Sequence, residues 1–447
     1  MNQASDITDK VVSLAKRRGF IFPGSEIYGG LSGTWDYGPL GAEFKQNIKR
    51  EFLRSMLYVR DDAVLIDASI MMNARVWEGS GHTEAFSDPL VECKLCHERF
   101  RADHEDERKE HEEHHRKEKQ EPSWTEPKQF NLLVEAKVGA VEGEKQSVYL
   151  RGEITQGVHV NFKNILDSTS RRPPFGVVQI GKAFRNEITP GNFTFRSREF
   201  EQMEMQYYVK PDEEKALEWY EYWKEERMKW YIGFGIGKDR LRFRDHAPDE
   251  RAHYARMACD IEYKSPFGWK ELEGIHHRGG WDLSRHAQFS GKDLTYFDEE
   301  KKERYVPWVI ETSGGVDRAA LFFLIDAYGE ENEGKEKRVV LKLHPRLSPV
   351  KAAVFPLLAN KPQLVEKARH VFKSLKVRSL NIAFDDRGNI GKRYFAQDEI
   401  GTPWCITVDF QTLEDDTVTV RDRDTMKQER VAVEGVAAFF EEKLSRR

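Results

Sequence analysis

Two stretches concentrate the residues that could do chemistry. FRNEITPGNFTFRSREFEQMEMQ (184–206) has a β-hairpin pattern, yet it carries arginines and glutamates where a sheet normally buries apolar groups. Alternate side chains on a strand share a face. Read from Arg196, one face holds Arg196, Arg198, Phe200, Gln202 and Glu204. Those positions span about 26 Å at ~3.3 Å per residue. Such a face suits a long ligand: guanidinium groups for a phosphate chain, a ring for a flat base, a carboxylate for an ammonium. Arg185 and Glu187 on the partner strand add a further cation and acceptor. The competing reading is a surface hairpin laced by cross-strand ion pairs, which contribute little.

The second stretch, YVPWVIETSGGVDRAALFFLIDAY (305–328), reads as strand, Gly-Gly turn and long apolar helix. Arg318 falls in the first helical turn, where a cation is mildly unfavourable unless an anion joins it. Glu311 and Ser313 stand at the strand end beside it. An ordinary strand–turn–helix with a surface arginine is the alternative. Cys93 and Cys96 form CKLC, half of a zinc knuckle. His97, His104, His111, His114 and His115 follow, and the i,i+4 spacing of His111 and His115 suits one helix face. A degenerate knuckle without metal competes with that reading. Cys259 and Cys405 lie in apolar surroundings and read as core residues.

These residues need elements to position them. The chain has 447 residues, enough for two or three domains, with 39% hydrophobic and 33% charged content. Its composition is that of a soluble globular protein, and no run of 18 apolar residues offers a membrane span. The N-terminus lacks a basic start followed by an apolar run, so no secretory signal is expected. Four cysteines in this length fit a reducing cytoplasm. The net charge of −5 is uneven: from Lys335 onward the balance is +6, against −11 for the rest. An acidic body with a basic tail domain fits a protein that meets a polyanion at one end.

Along the chain, a short helix is predicted over 8–18. A glycine-rich segment (28–41), a helix over 42–58 and a strand from Asp62 follow. RADHEDERKEHEEHHRKEKQE (101–121) has no apolar face and reads as a solvated helix or mobile insertion. Strands are expected from Phe130 to Phe162 and from Val177 to Val209. The segment 211–235 reads as a helix whose aromatic stripe (Trp219, Tyr220, Tyr222, Trp223, Trp230, Tyr231) packs in the core. GEENEGKEKR, near 330–338, reads as a linker. Beyond it, alternating strands and helices predict a small α/β domain.

With these segments in hand, the chain resembles class II aminoacyl-tRNA synthetases, and among them the homodimeric glycyl-tRNA synthetases. FRNE…FRSREFEQME is similar to the family's motif 2 and GGVDRAALFFLIDAY to its motif 3. TWDYGPLG, VWEGSGH, LRGEITQG, GWKELEGI and DLSRHAQFSGKDL extend the likeness over nearly the whole chain. The resemblance implies an α+β fold: a class II synthetase-like antiparallel sheet flanked by helices, plus a C-terminal α/β anticodon-binding domain. The implied boundaries are 1–334, with a charged insertion at about 93–127, and 335–447.

It also implies roles. Arg185 and Arg318 would be the catalytic arginines, Arg185 on the α-phosphate of ATP, Arg196 and Arg318 on the β- and γ-phosphates. Asn186, Glu187, Phe195, Phe200, Glu271 and Leu272 would complete the ATP site. Glu187 would accept from the adenine amino group, Phe200 would stack on the base, and Glu271 would help hold Mg²⁺. Glu153, Glu204 and Glu311 would hold the glycine ammonium, with Gln202, Ser313 and Arg101 as further substrate contacts. The partners implied are glycine, tRNA(Gly) and a second copy of the chain, with no membrane. The chain departs from the family at Ala74, where motif 1 usually has proline, and in lacking the second cysteine pair that many relatives place before TEPKQFN. A class II synthetase for another small amino acid, or a non-catalytic synthetase-like accessory protein that binds nucleic acid, are the alternatives. The retained arginines and acids weigh against the accessory protein.

Overall fold

The structure is a computed structural model and describes residues 3–140, 146–252, 254–333, 336–376 and 381–445. Its centre is a seven-stranded sheet: β1 (Ala63–Leu65), β2 (Phe175–Phe184), β3 (Glu199–Val209), β4 (Leu241–Asp245), β5 (Met257–Ser265), β6 (Gly268–Gly279) and β7 (Trp308–Gly315). The spatial order is β4-β5-β6-β7-β3-β2-β1, antiparallel throughout except for the edge pair β2–β1. One face is covered by helices α1 (Gln3–Arg18), α2 (Pro39–Leu53), α4 (Glu213–Gly233) and α5 (Val316–Ala327). A separate helix, α3 (Glu105–Lys117), lies outside this body.

Helix α5 is apolar nearly all round, and all but two of its residues are buried, as expected of a helix sunk between a sheet and a second helix layer. The aromatic stripe of α4 joins the same core through Tyr220, Trp223, Trp230 and Tyr231. Within it Arg227 is fully buried, its Nε and Nη2 2.6 and 3.0 Å from the carboxylate oxygens of Glu273 on β6. Tyr231 donates to the same carboxylate at 2.7 Å.

The segment read as a linker is a two-stranded ladder, Tyr328–Glu333 against Glu336–Leu341. Matched charges let a polar run extend: Lys337 and Lys342 pair with Glu330 and Glu331 at 2.8 and 2.6 Å, and buried Arg338 meets Asp398 at 2.8 Å. The boundary at 334–335 lies outside the described residues. Beyond the ladder stands a second sheet of β8 (Ala352–Pro356), β9 (Ile382–Phe384), β10 (Trp404–Val408), β11 (Thr417–Asp422) and β12 (Gln428–Ala432) in the order β9-β8-β10-β11-β12. Its first three strands run parallel. Helices α6 (Pro362–Lys376), α7 (Ile390–Glu399) and α8 (Val436–Ser445) accompany it. The expected α/β domain is therefore present, and the whole is a mixed α/β structure.

Two further expectations shift. Thr155–His159 is a helix where strand was expected; all five of its residues are buried, and the Gln156 side chain donates to Glu153 and Asp282. The second hairpin strand starts at Glu199 rather than Arg196, after a 3-10 turn over Phe193–Phe195. Ala74 takes the first position of the short helix Ala74–Gly79, whose N-cap Asn73 accepts from the Arg75 amide at 3.0 Å. That is the position where proline's fixed φ is tolerated, so alanine keeps the helix start while losing its rigidity.

Candidate active site

Strand register assembles the closed end of a cleft. Across β3 and β7, Gln206 pairs with Glu311 and Glu204 with Ser313; across β7 and β6, Glu311 pairs with His276 and Ser313 with Gly274. Two adjacent rungs thus carry two acids, a hydroxyl and an imidazole on one face. Gly274 keeps this floor open, since a Cβ there would stand 2.7 Å from the His276 ring. Glu153, just before helix Thr155–His159, supplies a third acid.

The three acids are not equivalent. Glu311 is pushed up by burial, but Arg278 (Nη1 at 3.0 Å), His276 (Nδ1 at 2.7 Å) and Gln206 (Nε2 at 2.9 Å) outweigh that and hold it well below the usual carboxylate range. Burial opposes Glu153 as well, yet the His82 ring 3.3 Å away and Arg278 bring it to about 2. Among the described residues Glu204 has no ion-pair partner. Burial first, then the charges of Glu311 and Glu153, raise it to about 8, against hydrogen bonds donated by Ser313 (2.6 Å) and Thr155 (2.7 Å). A carboxylate so placed asks for a cation from outside the chain.

The mouth of the cleft carries three guanidinium groups. Arg185, just past β2, lies between two rings, 5.0 Å from Phe86 and 5.3 Å from Phe200, while its Nε donates to the Gly152 carbonyl at 3.0 Å. Arg196 lies 3.6 Å from the Glu187 carboxylate. Arg318, in the first turn of α5, stacks over Phe195 at 4.6 Å and reaches Glu271 at 3.1 Å. That arginine, above all, holds Glu271 below its ordinary value. An anion at this mouth would meet guanidinium groups together with a helix N-terminus.

The structure therefore brings Glu153, Arg185, Glu187, Phe195, Arg196, Phe200, Gln202, Glu204, Glu271, Glu311, Ser313 and Arg318 to one cleft wall. It does not bring every expected residue. Arg198, ahead of the strand, donates to the carbonyls of Ser32 and Glu187 and ties the hairpin to the glycine-rich loop. The Leu272 side chain alternates away from Glu271 into the core. The Asn186 amide donates to Leu132 at 2.8 Å, and Arg101 pairs with Asp88 and Asp103 at 2.8 and 2.6 Å, both residues outside the wall. Sequence reading missed Thr155, Gln206, His276 and Arg278. The parity rule applied to β6 would have found the last two, which share the face of Gly274.

Away from the cleft, Cys93, Cys96, His111 and His115 come together, their ligand atoms all within 4.8 Å of one another. His97, His104 and His114 instead face Glu92, Glu107 and Glu118. Cys259 and Cys405 are buried, as expected.

Comparison with known proteins finds relatives over nearly the whole chain. The family described as anticodon binding domain matches residues 351–443. The chain is 50% identical over 460 residues to a glycine--tRNA ligase of Streptomyces coelicolor, covering 99% of each. It is 49% identical to that of Thermobifida fusca over the full length of both. With the glycine--tRNA ligase of Borreliella afzelii it shares 50% over 436 residues, 97% of this chain and 96% of the relative. At that identity and coverage the chain belongs to the glycine--tRNA ligase family.

Proposed function

We propose that the chain attaches glycine to tRNA(Gly) at the expense of ATP, through a glycyl-adenylate formed in this cleft. The observation that carries the reading is the convergence of Glu153, Glu204 and Glu311 at the closed end of a cleft whose mouth holds Arg185, Arg196 and Arg318. In this reading the glycine ammonium sits among the acids and ATP lies along the wall, its base stacked on Phe200 and its phosphates met by Arg185, Arg196 and Arg318. The glycine carboxylate attacks the α-phosphorus in line. The bond to the β-phosphate oxygen breaks and pyrophosphate leaves. The terminal ribose hydroxyl of the tRNA then attacks the activated carbonyl, and AMP departs. Neither step needs a protein nucleophile, so positioning and charge neutralisation supply the catalysis. Glu271 is the residue best set to hold the Mg²⁺ that accompanies the nucleotide.

Selectivity for the smallest amino acid rests on exclusion, because a pocket gains little from contact with a hydrogen atom. Ser313, tethered to Glu204, closes the space beside the substrate Cα. The seven-stranded, mostly antiparallel sheet is read as the core of a class II catalytic domain over 1–334, and 335–447 as an anticodon-binding domain. The chain is further read as a homodimer. Among the described residues no helix is long and apolar enough to cross a membrane.

The test is ATP–pyrophosphate exchange with glycine, alanine and serine in parallel. Glycine alone should drive exchange in the natural chain. Arg185→Ala and Arg318→Ala should each lower it by at least ~10²-fold, the scale of a lost transition-state charge contact, with circular dichroism unchanged. Near-normal exchange in either variant removes that arginine from the mechanism.

A further inference from the structure

Helix α3 poses a problem of its own. Its sequence, EDERKEHEEHHRK, contains no apolar side chain, so it has no hydrophobic face to dock with. A single helix of this length is marginal in water without such a face. Yet it lies against the turn that follows strand Ser87–Glu92, with His115 buried and its ring nitrogen 3.9 Å from the Cys93 sulfur. One turn away, His111 Nε2 stands 3.4 Å from the Cys96 sulfur. The cysteines sit on a tight turn in which the His97 amide donates to the Cys93 carbonyl at 2.9 Å and His97 adopts a left-handed φ of 62°.

We propose that Cys93, Cys96, His111 and His115 bind one structural Zn²⁺ through both sulfurs and both Nε2 atoms. Three observations carry this. First, four ligand atoms lie within 4.8 Å of one another. A tetrahedral zinc with usual bond lengths separates a sulfur and a nitrogen ligand by about 3.5 Å, close to the 3.4 and 3.9 Å found. Second, both imidazoles have Nδ1 engaged, His115 with Gln120 Oε1 at 2.9 Å and His111 with Glu98 Oε2 at 3.3 Å. That is the outer-shell contact that turns Nε2 toward a metal and fixes the ring. Third, the set is closed: two thiolates balance the charge of the ion, and four protein ligands leave no position for substrate, which marks a structural site rather than a catalytic one. The histidines of one helix face take the place of a second cysteine pair. Binding releases the thiol protons and clasps α3 to the sheet formed by strands Ser87–Glu92, Arg99–Arg101 and Lys128–Asn131.

The experiment uses the full chain purified without a histidine tag. Elemental analysis should find one zinc per chain. Metal-stripped protein titrated with Co²⁺ should develop the visible bands of a tetrahedral ion and a sulfur-to-cobalt charge-transfer band, saturating at one equivalent. H111Q/H115Q should weaken zinc by more than ~100-fold, beyond what loss of an outer-shell contact costs. Chelation should speed proteolysis within 102–121. Should the double variant fail to fold, the cobalt spectrum of the natural chain decides. The proposal is overturned if reduced, metal-stripped chain takes up Zn²⁺ and Co²⁺ without those bands. It is also overturned if the double variant binds zinc as tightly as the natural chain, or if Cys93 and Cys96 join in a disulfide that zinc does not displace under reducing conditions.

Discussion

Glu204 titrates where the other two acids do not, and with the proposed glycine ammonium held there, glycine binding depends on pH. An ammonium binds the ionised carboxylate, so below about 8 each bound glycine must displace a proton. Glycine affinity should therefore rise by up to about tenfold per pH unit from 6 to 8 and then level off. Titration calorimetry in buffers of different ionisation enthalpy should register proton release near pH 7. Glu204→Gln should flatten the profile and weaken glycine more than ATP; equal weakening of both would separate Glu204 from the ammonium. At this scale the sequence was legible wherever strand parity applied: Phe200, Gln202 and Glu204 share the face predicted for them. Arg198 was misread because the 3-10 turn at Phe193–Phe195 ends the alternation before the strand begins. Arg278 escaped notice because GIHHRGG reads as a polar strand end, and only tertiary pairing with Asp282 (2.8 Å) and Glu311 buries it.

Between elements, the Arg227–Glu273 pair joins α4 to β6 directly behind the cleft floor. Both side chains are buried, and a Cβ at Gly314 would come 3.0 Å from the Glu273 carboxylate. Removing one partner strands a charge in the core. Arg227→Met should lower stability by about 3–5 kcal/mol in urea unfolding, and a second change, Glu273→Gln, should recover part of it. Equal stability of the single variant and the natural chain would show that Glu273 finds another route to neutrality. The long helices α4 and α5, set by apolar and aromatic runs, were read correctly. Elements decided by charge matching were not: the Tyr328–Glu333 ladder has the composition of a loop, and nothing local in GEENEGKEKR announces that Arg338 will meet Asp398.

For the molecule as a whole, the two sheets are joined by more than a connection. Arg17 and Arg18 of α1 both pair with Glu399 of α7, and Asn47 of α2 donates to the carbonyls of Leu347 and Ser348 at 3.1 and 2.9 Å. The Lys351 amine reaches the carbonyls of Pro345, Arg346 and Ser348, and burial pulls it down to about 7. Sedimentation equilibrium should find a dimer at micromolar concentration despite Ala74; a monomer would refute the homodimer reading. The acid cluster has a bearing on heat resistance too. Because Glu204 titrates near 8 in the folded chain and near ordinary carboxylate values when unfolded, its contribution is whole at acid pH and drains away as pH climbs toward 8. The melting temperature of the ligand-free protein should fall over that interval more than that of Glu204→Gln, and saturating glycine should restore it. Breeding this protein in the laboratory for thermal endurance alone would then reward neutral side chains at position 204, and survivors of such a screen would be sturdier molecules that had forgotten their amino acid.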